Sequence, residues 1–520
     1  MRVTLISTET DPWALGMRVL SSVLLDKGHE SRMAFLNTPA PYYSEQVLKS
    51  VADIAAGSGM IGISCLARGS EKAKQVIRAL RPMGVPIVWG GIHATLFPED
   101  CVDWADVVCR GEGEGFITDL VGRLIHGVEW KSLANAAYRE GYRIVLNPLR
   151  PLLQDLDSLP LQDHSEDREL HLRGKRFVRP SELFDVRQPV MFNGSRGCAF
   201  HCTYCINAKM REIYAGAGRY VRKMSIGRYV ESVRQLKASF PKSRAVYLID
   251  EDFFARRLDE LEYFSREFPA KVGLPFECMG SPPLCTPEKA DLLVKAGMWR
   301  VRLGLESGSE RTKRVVYDRP ITNDSLLKAA RTLARHPRLT VSYFFMIGNP
   351  YEDAEDLIQT ILFLASLPAP FFSQVYNLVF FPGTALYERA VADGFICGKA
   401  DSGFELDYRS GLKHRDHAWK RKNLYLNGLL FLMDGKTSTR RMGAVPRCLL
   451  PRLLRPGLVR WAERHPLPIR FAIAAKCGFL SLRKLVSRGL QRVLRDPRSV
   501  YDLRRFLSDR SRGSSPPHAS

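Results

Sequence analysis

The sequence predicts an α/β chain in two parts, a doubly wound parallel sheet and then a partial (βα)6 barrel, followed by a basic helical C-terminal region. Three observations predict it. Short apolar runs alternate with amphipathic helical patterns in two blocks. A stretch rich in Pro, Asp and Ser separates the blocks. Near Gly394 the alternation stops and the charge turns strongly positive. A chain of 520 residues also exceeds one ordinary hydrophobic core.

The first block, residues 1–145, carries five apolar runs: "RVTLIS" (2–7), "ESRMAFLN" (30–37), "MIGISC" (60–65), "VPIVWGG" (85–91) and "ADVVCRGEGE" (105–114). Helical patterns such as "EKAKQVIRALRPM" lie between them, which makes five βα units and a sheet of the flavodoxin type. In such sheets ligands bind beyond the carboxyl ends of the strands, where glycine lets backbone come close. Ser64, Gly90, Gly91 and Gly111 stand at those ends. They are the candidates to hold a cofactor tail.

Residues 146–185 read as a linker, because "NPLRPLLQDLDSLPLQDHSED" breaks both the helical and the strand period. From 186 to 395 the alternation resumes in "VMFNGS" (190–195), "AVYLID" (245–250), "LPFECMG" (274–280), "RVRLGLES" (300–307), "LTVSYFFMIG" (339–348) and "QVYNLVFF" (374–381). One intervening helix is punctuated fully, with Thr286 as N-cap, Pro287 in the first turn and Gly297 as stop. Residues 396–508 read as basic and mainly helical, and 509–520 as a disordered tail.

Charge and cysteine usage narrow the class. Residues 401–520 hold 26 Lys and Arg against nine Asp and Glu, so +17 of the chain's +22 sits there. Leu, Phe and Trp mixed with Arg on helical spacing favour a membrane surface over a nucleic-acid groove, and no recognition-helix motif stands out. Nucleic acid is therefore not an expected partner. A basic face lying in water is the equal alternative. The longest apolar run there is broken at Lys476, short of a bilayer span. Eleven cysteines without a paired framework, behind an N-terminus that reads as a strand, point to a reducing compartment. The expected location is the cytoplasm, with a peripheral position at the inner face of the membrane as an option.

The densest chemical signal is "GSRGCAFHCTYC", which sets Cys198, Cys202 and Cys205 on a loop leaving a strand. Three soft sulfur ligands at this spacing can take three corners of a 4Fe-4S cubane and leave the fourth iron open. A structural zinc site usually wants four ligands in two paired knuckles, and the sequence has no second C-x2-C pair. His201 lies between two of the cysteines, where simultaneous ligation would be strained.

These residues, with the aromatic Tyr204 before the third cysteine, resemble the signature of radical S-adenosylmethionine (SAM) enzymes. "DEDFF" (250–254), "GLESGS" (304–309), "FFMIGNPYE" (344–352) and "FFPGT" (380–384) resemble that family's strand ends in the matching order. The resemblance implies a 4Fe-4S cluster on the three cysteines and SAM on the open iron. Tyr204 would lie against the adenine, and Asp250, Glu251, Glu306 and Ser307 would accept or share hydrogen bonds with its polar groups. A solvated strand end is the bland alternative for the acids of 250–252. Phe345 and Met346 read as core, and Cys278 and Cys285 as ordinary thiols.

"MIGISC", "VPIVWGGIHAT" and "ADVVCRGEGE" resemble the cobalamin-binding domain that precedes the barrel in the cobalamin-dependent class of these enzymes. Domains of that type that supply an axial histidine use D-x-H-x-x-G; here "DPWALG" keeps Asp11 and Gly16 but has Trp13 in the histidine position. Cobalt ligation from this loop is not expected; His93, after the double glycine, is a candidate ligand, with a surface histidine as the favoured reading. The resemblance implies reductive cleavage of SAM to a 5′-deoxyadenosyl radical, and methylation of an unactivated carbon or phosphorus of a small-molecule or lipid-like substrate. It also implies an electron donor such as flavodoxin or ferredoxin. The alternatives are a cobalamin-dependent radical cyclase or oxidoreductase without methyl transfer and, from a different class, a cobalamin- or redox-responsive regulatory protein.

Overall fold

The computed structural model describes residues 1–183, 189–405 and 422–476. The chain divides into two compact units. The first comprises Met1–Ala199, Tyr204–Ser243 and Phe380–Leu406; the second comprises Phe200–Thr203, Arg244–Val379 and the residues from Asp407 onward.

All five predicted N-terminal strands form: β1 (Arg2–Ser7), β2 (Glu30–Phe35), β3 (Met60–Ser64), β4 (Ile87–Gly90) and β5 (Val107–Cys109). They are parallel and ordered β5-β4-β3-β1-β2, the flavodoxin-type arrangement with a switch point between β1 and β3. Alternate residues feed two cores. Ile6, Ile61, Ile63, Ile87 and Trp89 pack on one side, and Val3, Leu5, Met33, Val88 and Val107 on the other. That two-sided burial is why these strands read as nearly continuous apolar runs.

The sheet extends beyond the prediction at both edges. A hairpin, β6 (Ala136–Glu140) with β7 (Arg143–Leu146), adds antiparallel to β5. At the other edge, residues expected to be linker supply β8 (Glu169–Arg173), parallel to β2, and β9 (Arg176–Val178), its antiparallel partner. "ELHLR" does alternate, but the surrounding Pro and Asp masked it. Its anchor is buried charge. Arg18, on the helix Leu15–Asp26, donates to Glu169 Oε2 at 2.6 Å, and His171 meets the same carboxyl. Burial would raise the pKa of Glu169, but Arg18 and His171 outweigh it and hold the carboxyl at about 2. A pair this deep specifies one register, since breaking it would strand a charge.

The sequence then passes through β10 (Val190–Phe192) into the cysteine loop, whose base is the antiparallel ribbon β11 (Ser195–Arg196) and β12 (Arg222–Lys223) in the first unit. The second unit holds the parallel strands β13 (Val246–Leu248), β14 (Phe276–Gly280), β15 (Met298–Glu306), β16 (Thr340–Ile347) and β17 (Phe371–Asn377) in sequence order. The last begins three residues before the predicted run, because "FFSQ" joins the ladder and "LVFF" leaves it. The helix Pro287–Lys295 starts and stops as its sequence dictates: Thr286 accepts from the Lys289 N–H, and Gly297 takes φ +105°.

The described part of the C-terminal region, residues 422–476, is mainly helical and adds three short strands. β18 (Gly435–Thr437) pairs antiparallel with β17, followed by β19 (Arg441–Met442) and β20 (Val445–Pro446). The helices Leu424–Leu432 and Pro456–Arg464 flank them. Residues beyond 476, the expected tail 509–520 included, lie outside the described residues.

Candidate functional site

At the carboxyl edge of the first sheet, Ser7, Ser64 and Gly90 form one cross-strand row. Gly91 takes φ +92°, and a Cβ there would lie 2.7 Å from Ser64 Oγ and 3.1 Å from the Cys65 carbonyl. Only glycine lets these two strand-end loops meet. Gly111, also at φ +92°, donates its N–H to Thr95 Oγ1 at 2.9 Å, and a Cβ would strike the Tyr214 hydroxyl. Gly90 has only ordinary spacing to its nearest neighbour, Cys109. Its role there is to leave room.

Two edge residues escaped the sequence reading. Thr8 donates through its hydroxyl to the Gly69 carbonyl at 3.0 Å, and Glu9 accepts from the Leu66 N–H. Burial pushes the Glu9 carboxyl above its usual range. Nothing in "TET" marks a buried acid, because burial here is set by the loop after β3.

His93 corrects its expectation. It is 1% exposed, packed at a tilt between Trp89 and Phe97, with Nε2 3.0 Å from Asp100 Oδ2. A short helix, Ile92–Leu96, turns it inward. Trp13 packs its ring on His164 and Phe240 at centroid distances of 6.0 and 6.2 Å. The loop after β1 thus presents no histidine. Hydroxyls and glycine backbone at the edge are donors suited to a bulky cofactor that is held through amides and phosphate rather than through a protein ligand to its metal.

The cysteine loop is tied down at its base. Arg196 Nη1 lies 2.9 Å from Glu112 Oε1 and its other terminal nitrogen pairs with Glu114; Arg222 Nη1 lies 2.8 Å from the same Glu112 oxygen. Glu112 also accepts from the Leu153 N–H at 2.9 Å. The "GEGE" that ends the β5 segment is therefore the anchor of the loop that carries the cysteines. At Gly197, φ +81°, a Cβ would lie 2.4 Å from the Tyr220 carbonyl, so the loop can turn there only with glycine. Arg211 donates to the Cys198 carbonyl, and Cys205 is the N-cap of the helix Ile206–Ile213. Tyr204 is half-buried beside it and His201 is exposed.

In the second unit, Cys202 is 4% exposed and its Sγ accepts from Arg319 Nη1 at 3.5 Å. Thr203 holds this turn through its N–H to the Tyr317 carbonyl and its hydroxyl to the Val316 carbonyl. Arg319 also donates to the Gly304 carbonyl at 3.0 Å and stands 3.9 Å from Glu306 Oε1. Glu306 ends β15 with φ +65°, a left-handed conformation unusual for glutamate. Its carboxyl folds back over Gly304, where a Cβ would lie 2.3 Å away. Arg319 gave no sequence signal, since a lone arginine in "YDRP" marks nothing.

The remaining expected residues separate. Asp250 is 2% exposed two positions beyond β13, while Glu251 faces solvent and Asp252 accepts from the Ser281 hydroxyl. Ser307 is fully buried, its hydroxyl given to Glu352 Oε1 at 2.9 Å and within 3.1 Å of Thr360 Oγ1. Burial pushes the Glu352 carboxyl up to about 7.

Among the described residues no three His, Cys, Asp or Glu side chains are gathered closely enough to hold a metal ion, Cys198, Cys202 and Cys205 included. The guanidinium on Cys202 and the helix N-terminus at Cys205 would each offset negative charge on a thiolate.

Residues 192–364 match the Radical SAM superfamily, and residues 1–121 match the B12 binding domain. An uncharacterized methyltransferase of Pyrococcus horikoshii is 26% identical over 345 residues, 65% of this chain and 70% of that one. The cytidylyl-2-hydroxyethylphosphonate methyltransferase of Streptomyces wedmorensis is 24% identical over 406 residues, 70% and 72% of the two chains. Among solved structures, the radical SAM methyltransferase TsrM from Kitasatospora setae, with cobalamin and a [4Fe-4S] cluster bound, superposes with a TM-score of 0.61. It is 17% identical and covers 76% of this chain and 78% of its own. That likeness is one of fold.

Proposed function

The chain belongs to the cobalamin-binding radical SAM enzymes, and from that premise we propose that it methylates an unactivated carbon or phosphorus centre of a small molecule. Its cofactors are a 4Fe-4S cluster, SAM and cobalamin. When bound, the cluster and SAM supply a 5′-deoxyadenosyl radical that abstracts hydrogen, and cobalamin supplies a methyl group.

The observation that carries the reading lies within the first unit. The loop bearing Cys198 and Cys205 is fastened through Arg196 and Arg222 to Glu112 and Glu114, on the segment that leaves β5 of the B12-binding sheet. A transfer between two bound cofactors and one substrate needs their sites held in fixed register. This four-residue network is built to fix one against the other.

The chain's other residues position and shield. Cys198, Cys202 and Cys205 would hold the cluster, and Arg319 orders Cys202 against the Glu306 strand end. Asp250 and Glu306 would accept hydrogen bonds from the amino group and ribose of SAM, and Tyr204 would face its adenine. Glu251, exposed, contributes at most through water. The Ser307 hydroxyl supports that strand end from within, through Glu352. Ser64, Gly90, Gly91 and Gly111 receive the cobalamin tail.

Electrons would come from a donor such as flavodoxin or ferredoxin. No helix among the described residues is long and apolar enough to cross a membrane. Peripheral contact is supported by Trp461, Leu467 and Phe471, which are 49%, 76% and 78% exposed among Arg460, Arg464 and Arg470. Changing the three apolar residues to serine should reduce sedimentation with anionic liposomes.

The test is anaerobic reconstitution with iron, sulfide, cobalamin and methyl-labelled SAM, followed by a search for labelled products in substrate pools. Labelled product that vanishes without cobalamin supports methyl transfer. Formation of 5′-deoxyadenosine with unlabelled, dehydrogenated or cyclised product would replace it with the cyclase or oxidoreductase reading.

A further inference from the structure

On β15 the residues alternate sharply: Val301, Leu303 and Leu305 are fully buried, while Arg300 and Arg302 stand on the opposite face with Gly304 and Glu306. Parallel register puts Tyr247 beside Glu277 and Glu277 beside Arg300 in one row of that face, and Phe344 beside Gln374 in another. Arginine is a poor choice for the inner face of a βα barrel, which is ordinarily filled by branched apolar side chains. Two arginines there need an explanation.

One carboxylate faces both guanidiniums, and Arg300 Nε also donates to Ser342 Oγ at 3.0 Å. Arg302 pairs with Glu277 Oε1, and Arg300 Nη1 lies 3.8 Å from Oε2 of the same carboxylate. Side-chain exposures of 7% for Arg300, 21% for Arg302 and 7% for Glu277 put two cations and one anion out of bulk water. Arg302 is also pre-organised: Nη1 donates to the Tyr247 hydroxyl at 2.5 Å, and the guanidinium lies over the Tyr247 and Phe344 rings at 4.4 and 5.7 Å. Its Nε is buried with no hydrogen-bond partner. A fixed, desolvated guanidinium with an unused N–H is costly unless an anion completes it.

We propose that Arg302, with Arg300 on the same face, forms a subsite for an oxyanion of the substrate, a carboxylate, phosphate or phosphonate. The proposal deepens the methyl-transfer reading by making the substrate acidic. Arg302 precedes Glu306 by four residues, about 13 Å along an extended strand. The anionic end is thus held away from the SAM-side end of β15, and the reacting centre lies several bonds from the charge.

The experiment measures binding without turnover. Inorganic phosphate, methylphosphonate, acetate and, as control, methylammonium are titrated calorimetrically into the anaerobically reconstituted full chain, and into the R302M and R302K variants. One or more anions bind the native chain and methylammonium does not; R302M weakens that binding at least about tenfold with cluster and cobalamin absorbance unchanged. R302K, which keeps the charge and loses the fork, falls between them. The preferred anion distinguishes carboxylate from phosphate or phosphonate chemistry. Equal affinity in native chain and R302K, or no anion binding to the native chain, overturns the proposal, and R302K decides it if R302M fails to take up its cofactors. Because no product is scored, a chain that binds anions but methylates nothing keeps this inference and loses only the methyl-transfer reading.

Discussion

Replacing Glu112 by glutamine removes one charge from the junction between the β5 segment and the cysteine loop and keeps its shape. The carboxylate faces two guanidiniums, Arg196 at 2.9 Å and Arg222 at 2.8 Å, and Arg222 is only 3% exposed. Removing one partner of a buried pair costs roughly 3–5 kcal/mol. Glu112 is 19% and Arg196 25% exposed, and Arg196 keeps Glu114, so screening lowers the expectation to about 2–3 kcal/mol. A unit of this size shifts by about 2–4 °C per kcal/mol, which gives a drop of roughly 4–12 °C in its melting transition. Calorimetry of the cofactor-free chain at pH 7.5 measures it, together with iron bound after reconstitution. The pH course adds a second check. Burial would raise the Glu112 carboxyl, but Arg196, the Leu153 N–H and Arg222 outweigh it and hold it below its usual range. The unfolded chain then binds more protons in acid, so the contribution is complete above about pH 4.5 and disappears as pH falls through the folded value. Native and E112Q melting curves should converge there. Unchanged melting and full iron content in E112Q would refute the anchoring argument.

Three further outcomes follow from single sites. Glu352, raised to about 7 by burial, binds more protons folded than unfolded, so stability falls as pH rises from about 4.5 to 7, by a contribution of order 3 kcal/mol. E352Q should flatten that slope and melt higher than the native chain at pH 8. Gly304→Ala sets a Cβ 2.3 Å from Glu306 Oε1 and 2.9 Å from Arg319 Nη2. It should weaken SAM binding about tenfold by calorimetry, a loss of ~1.4 kcal/mol, while leaving iron content near native. Gly91→Ala forces a side chain into φ +92° against Ser64 and should cost about 1–3 kcal/mol of strain. Cobalamin retention on gel filtration reads it, and native retention would sink the assignment of this edge.

Local pattern by itself determined the two α/β blocks, the parallel order of the first sheet and the cysteine loop, because each is written within a few consecutive residues. A doubly buried strand such as "RVTLIS" is an apolar run wherever it sits, and C-x3-C-x2-C is a spacing along one loop. Even the helix beginning at Pro287 is bounded by its own neighbours. What the tertiary structure decided is which polar groups are removed from water and who answers them. "ELHLR" became a strand because Arg18, some 150 positions earlier, buries its charge on Glu169. His93 turned inward because Asp100 and two aromatic rings receive it. Arg319 acquired its place beside Cys202 and Glu306, and Arg302 its place between Tyr247 and Phe344, only when distant strands came together. The free energy of a buried charge depends on partners gathered from across the chain, and local sequence contains only one member of each pair.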